Sequence, residues 1–164
     1  MKKLLLSLLV ISLTCHVQAQ LVINNHVVHY DSYTNTWLTT VPEEMFGKDN
    51  LLPVTIQEGW KDLTIDNEKV DNQYTFKNIT AESAYQTSIT DADGQTLTGK
   101  ILFTFLPIIH LNGEFGYDYQ SGTVSISNPD EQSDNDSLPA KIKWRGGSTN
   151  TEDKHKRNYN IKYD

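Results

Sequence analysis

The chain has 164 residues, of which 37% are hydrophobic, 21% charged and 10% aromatic. That length suits one ordinary domain or two small ones, and three Trp, eight Tyr and five Phe argue against a disordered polar chain. A formal charge of -7 excludes a globally basic nucleic-acid binder, and a single Cys excludes an internal disulfide or a cysteine-based zinc site.

The first twenty residues modify these figures. Lys2 and Lys3 open the chain, and residues 4–13 form an apolar run broken only by Ser7 and Ser12. Val17-Gln18-Ala19 then places slim residues at the minus-three and minus-one positions of a cleavage site. This pattern predicts a secretory signal peptide over residues 1–19. The apolar run is about half the ~20 residues that a spanning helix needs, so no membrane span is expected after cleavage. The expected mature chain keeps 12 basic and 21 acidic residues, a net of -9, and loses Cys15. A secreted, periplasmic or cell-surface protein without disulfides has to rest on an ordinary hydrophobic core.

The remaining chain reads as all-β. Residues 21–30 and 36–41 are rich in β-branched side chains, and Pro42 ends the second run. Residues 52–56, 63–65 and 73–77 alternate apolar with polar, the period of a half-buried strand. Residues 85–90 and 95–105 flank Asp91-Ala92-Asp93-Gly94, and an Asp-Gly turn between alternating runs signals a β-hairpin. The only helical candidate, residues 80–85, is too short to weigh. Short strands with turn residues between them predict a β-sandwich-like domain over residues 20–106.

Pro107 marks the expected boundary to a second unit, residues 107–164. Residues 108–111 and 123–127 read as strands around a Gly- and Tyr-rich stretch. Residues 128–139 are acidic and apolar-poor, which predicts a long exposed loop. Residues 140–144 and 159–163 alternate cleanly again. Charge divides with the chain: residues 20–140 hold five basic and 18 acidic residues, net -13, whereas residues 141–164 hold seven basic and three acidic, net +4.

The basic end carries the residues best suited to chemistry. Gly146 and Gly147 let successive backbone N–H groups turn toward one point, a nest that holds an anion. Ser148 and Thr149 add hydroxyl donors, and Arg145 can grip a phosphate or carboxylate with two parallel hydrogen bonds. Lys156 and Arg157 return on the next strand toward the same space. The bland alternative is a hairpin loop with solvated charges. No Gly-x-x-x-x-Gly-Lys motif is present, so this is not a P-loop.

Residues 141–163 resemble the start of the CotH family, the spore-coat-protein-H-like atypical protein kinases. Arg145-Gly146 matches that family's Arg-Gly, Ser148 and Thr149 its small hydroxyl residues, and Lys156-Arg157-Asn158-Tyr159 its basic pair and Tyr. Leu106-Pro107-Ile108-Ile109 resembles the domain entry in secreted bacterial relatives. The motif covers about 20 residues, and looser similarity reaches back to about residue 102. The resemblance implies a kinase-like α+β domain and an ATP- and Mg²⁺-dependent phosphotransferase, with Arg145, Gly146, Gly147, Ser148, Thr149, Lys156 and Arg157 on the nucleotide phosphates. It also implies a protein substrate or cell-surface component as partner. Phosphoryl transfer needs acidic residues to hold the metal and orient the acceptor. In the family these lie downstream of the motif, and the chain given ends at Asp164. The expectation is therefore the truncated start of such a domain, without catalytic residues of its own, and a 164-residue chain that does not transfer phosphate.

The competing reading is a non-enzymatic secreted β-sandwich that binds a glycan or surface protein. Trp37, Trp60 and Trp144 are the candidates for a stacking platform, although core or half-buried strand packing is the favoured account of them. Asp91-x-Asp93-Gly94 resembles the opening of a calcium loop but lacks the later ligands, which favours a hairpin turn. Asp130, Glu131, Asp134 and Asp136 read as a solvated acidic loop. His26 and His29, three residues apart, fall on opposite faces of a single strand and cannot share a metal. His110 reads as a strand residue.

Overall fold

The structure is a computed structural model, and it describes residues 21–132, 134–145 and 159–163. The expected leader and residues 146–158 lie outside these. The fold is all-β as expected, with one short 3-10 turn, Glu43–Met45, after Pro42.

The run expected over 21–30 is three strands, β1 (Leu21–Ile23), β2 (His26–Val27) and β3 (His29–Asp31). Asn24 and Asn25 divide it. Both have positive φ, 53° and 66°, and Ile23 pairs with His26 across them. Asn tolerates this conformation, so the pair makes a two-residue hairpin turn inside an otherwise strand-forming run. The chain continues through β4 (Thr36–Thr40), β5 (Asn50–Ile56) and β6 (Trp60–Ile65). Asp66-Asn67, with φ of 49° and 67°, turns β6 into β7 (Glu68–Lys69). Then come β8 (Gln73–Phe76), β9 (Tyr85–Asp91) and β10 (Thr96–Thr104). The expected Asp-Gly hairpin joins β9 to β10, with Gly94 at φ 85°. Residues 80–83 form a turn closed by Thr80 and Ser83 rather than a helix.

These strands make two sheets, ordered β2-β1-β5-β8 and β3-β4-β10-β9-β6-β7. Leu21, Ile23, Val54 and Phe76 from the first meet Trp37, Ile65, Ile89 and Ile101 from the second in one buried cluster. Phe76 anchors it, with ring centroids of Tyr74, Tyr85 and Phe103 at 5.0, 5.0 and 4.9 Å. Edge-to-face contacts of this kind add to the apolar area removed from water. Burial raises the pKa of the Tyr85 hydroxyl, which donates to Lys77 O at 2.8 Å.

β4 and β10 run parallel, pairing Trp37 with Ile101. Gly99 permits the approach, because a Cβ there would overlap Asn35 O and lie 2.6 Å from Trp37 Cζ3. Thr40 Oγ1 lies 3.1 Å from Thr104 O and 3.0 Å from Leu106 O, which fixes how the chain leaves β10.

The remaining strands are β11 (Ile108–Asn112), β12 (Gln120–Ser127), β13 (Leu138–Trp144) and β14 (Tyr159–Tyr163), in one antiparallel sheet in that order. Its buried side is small: Val124, Ala140 and Ile142, with Leu111 and Phe115 packed on them. A Cβ on Gly122 would lie 2.6 Å from Asn112 O and 2.9 Å from the Phe115 ring. Glycine there lets Phe115 cover the sheet.

Candidate functional site

The hairpin β13–β14 carries the end of the sequence-predicted phosphate site. Ala140, Ile142 and Trp144 pair with Tyr163, Ile161 and Tyr159, and these six residues share one face of the sheet. Lys141 pairs with Lys162, and Lys143 with Asn160, on the other face. Tyr119 lies under the lysines, with Lys143 Nζ 4.6 Å and Lys162 Nζ 6.0 Å from its ring centroid. Lys141 and Lys162 are like charges directly opposite, an arrangement that destabilises a bare ladder.

The base of the hairpin is fixed. Trp144 N donates to Gly116 O at 2.7 Å, and Tyr117 stacks edge-on against Trp144 with centroids 5.2 Å apart. Phe115 does the same to Tyr159 at 5.8 Å. Arg145 follows Trp144 and is exposed. Gly146, Gly147, Ser148, Thr149, Lys156 and Arg157 lie outside the described residues, so only Arg145 of the expected phosphate ligands has a place in the structure.

A second region gathers titratable side chains. His110 pairs with Ser125 across β11 and β12, and Asn112 with Thr123, so all four share one polar sheet face. That face meets the edge strand β3, with the His29 and His110 ring centroids 5.9 Å apart. Between them lies a cleft of about 440 Å³, lined by these residues together with Tyr30, Asp134 and Asp136 and with the apolar Val27, Val28 and Leu111. His110 Nε2 is 2.6 Å from Ser127 Oγ. Burial lowers the pKa of His110, the neighbouring Asp134 charge opposes this, and His29 and His26 lower it further.

His26 and Asp134 close one end of this seam. His26 is fully buried, and its Nδ1–H donates to Asp134 Oδ1 at 2.8 Å. Val27 N donates to Asp134 Oδ2 at 2.7 Å. The carboxylate thus accepts from two donors of the sandwich, which makes this a charge-assisted link rather than a surface pair. His26 Nε2 is buried and has no hydrogen-bond partner among the described residues.

Several sequence expectations change here. The acidic stretch is not wholly solvated: Asp134 is withdrawn into the seam, while Asp130, Glu131 and Asp136 stay exposed. The strand after it also begins earlier, at Leu138. His26 and His29 sit on separate strands rather than on two faces of one. Trp37 cannot serve in a stacking platform, because it is fully buried in the sandwich, while Trp60 and Trp144 are half-buried. Asp91 is used by its turn, where its Oδ1 accepts from Gln95 N at 2.7 Å. Among the described residues, no group of three or more His, Cys, Asp or Glu is arranged to hold a metal ion, and no helix is long and apolar enough to cross a membrane. No single segment signals the His26–Asp134 link, since its partners are 108 residues apart.

Comparison of the chain with known protein families, curated proteins and solved structures finds no match.

Proposed function

We propose that the chain is the nucleotide-side, N-terminal portion of a secreted CotH-like atypical protein kinase, with the β13–β14 hairpin as its phosphate-binding element. The observation that carries the reading is charge placement. Lys141, Lys143 and Lys162 share one sheet face at the base of the segment that begins with Arg145, whereas the strands before them belong to a strongly acidic stretch. Ammonium groups aligned on one face are donors that a phosphate chain accepts from, and a guanidinium such as that of Arg145 can grip a phosphate with two parallel hydrogen bonds. Gly146, Gly147, Ser148, Thr149, Lys156 and Arg157 complete the cradle in this reading, on the resemblance alone.

ATP phosphates fit this donor set. Mg²⁺ would arrive with the nucleotide, and among the described residues no group of three or more His, Cys, Asp or Glu is arranged to hold it. The part this chain plays is to bind and orient phosphates, which is most of what phosphoryl transfer asks of a protein.

The test is ATP affinity by calorimetry. Arg145→Ala should weaken binding about tenfold to a hundredfold, the worth of a charge-assisted contact. Lys48→Ala, an exposed lysine of the acidic sandwich, should leave it unchanged. Equal losses from the two substitutions would remove the case for a phosphate site at the hairpin.

A further inference from the structure

We propose that the cleft between β3 and the β11–β12 face is a binding site for an uncharged, hydroxyl-rich ligand of the saccharide class. This inference is independent of the hairpin reading.

The orientation of the C-terminal sheet is the first argument. A sheet normally turns its apolar face toward the body it packs on. Here His110, Asn112, Thr123 and Ser125 face the sandwich across the cleft. The apolar side points the other way and leaves Ile109 58% and Leu138 55% exposed. Hydrophobic burial therefore does not explain the seam. Polar groups held around a space of about 440 Å³ are solvated by water or by a ligand that offers hydroxyls in its place.

The second argument is the chemistry of the lining. Hydroxyl, amide and imidazole groups each offer both donors and acceptors, the set that matches vicinal hydroxyls. Tyr30 also borders the cleft, but its ring packs on Trp37, with centroids 4.7 Å apart, so the side chain that β3 turns toward His110 is that of His29. The fixed charges exclude an anion: Asp136 lines the cleft, and the carboxylate of Asp134 stands beside it. A metal cation is disfavoured because no three ligating side chains converge among the described residues. The His26–Asp134 link holds the two walls at their separation, so the site is preorganised rather than assembled by the ligand.

The experiment uses the full chain. Maltose, cellobiose and N,N′-diacetylchitobiose are titrated to millimolar concentration, with sodium sulfate as the anionic control, and the imidazole NMR signals of His29 and His110 are followed. At least one disaccharide should move both signals along a saturating curve while sulfate does not. The double variant Asn112→Ala/Ser125→Ala should weaken that binding about tenfold or more with its backbone spectrum otherwise intact. Three outcomes would overturn the proposal: unmoved imidazoles with every saccharide, a larger and saturating response to sulfate, or undiminished affinity in the double variant.

Discussion

Two halves of this chain are built from the same kind of strands but are held in different ways. Among the described residues, the sandwich encloses sixteen buried apolar side chains between two sheets, while the C-terminal sheet covers three on one side only. The sandwich draws on burial from both faces of its core. The C-terminal sheet draws on its ladder, on Phe115, Tyr117 and Trp144 around the hairpin base, and on the polar link to His26. Hydrophobic burial scales with enclosed apolar area, so the first half is the more stable scaffold. The second half keeps one polar face, with imidazole, amide and hydroxyl groups at one end and lysines at the other. Apolar burial is thus concentrated in the first half of the chain, and the long polar sheet face in the second.

The largest expected effect tests that separation. Phe76→Ala removes the anchor of the aromatic cluster and should cost about 3–5 kcal/mol in denaturant unfolding. Ile142→Ala should cost nearer 2 kcal/mol, because a one-sided cluster can relax into the gap. Equal costs would mean that the two cores are equivalent. Next comes Gly99→Val. Its side chain would press on the Asn35 backbone and the Trp37 ring, and the substitution should destabilise by about 1–3 kcal/mol. A neutral result in thermal melts would show that the β4–β10 contact is looser than described.

The link between the halves should have an intermediate effect. A double-mutant cycle of His26→Ala and Asp134→Ala should give a coupling energy of about 1–2 kcal/mol, since Asp134 accepts a hydrogen bond from a fully buried imidazole. A coupling near zero would break the view that this pair fixes the seam.

The smallest effect is one of pH. The folded pKa of His110 lies below its ordinary value, chiefly through burial. On acidification the unfolded chain takes up its proton first, so this contribution is complete above the ordinary histidine range near 6.5. It is lost as pH falls through the lowered folded pKa. His110→Gln should flatten stability across that window in urea titrations. A wild-type curve already flat there would contradict the assignment.

Much of the architecture was readable from local pattern. Alternation located most strands, and Asp93-Gly94 located the β9–β10 hairpin, because both signals involve neighbouring residues. Asn24-Asn25 gives no clear local signal because a β-branched run surrounds it on both sides, and β7 gives none because two residues carry no periodicity. The parallel pairing of β4 with β10 depends on Gly99 meeting Asn35, a contact no local rule contains. The same holds for the cleft. His26 and His29 looked like one strand until the Asn turn divided them, and Asp134 looked like one more solvated acid until a distant imidazole claimed it. The hairpin was legible through charge: alternation alone put Lys141 and Lys143 on one face, and only the ladder register brought Lys162 opposite.

Whether the hairpin binds nucleotide phosphates can be read from backbone amide shifts during an ATP titration of the chain. A phosphate site there should give saturating shifts concentrated in Lys141 to Arg145 and in β14, with the sandwich strands unmoved, and these should weaken in Arg145→Ala. Shifts spread over the sandwich, or a hairpin that responds no differently in Arg145→Ala, would contradict it.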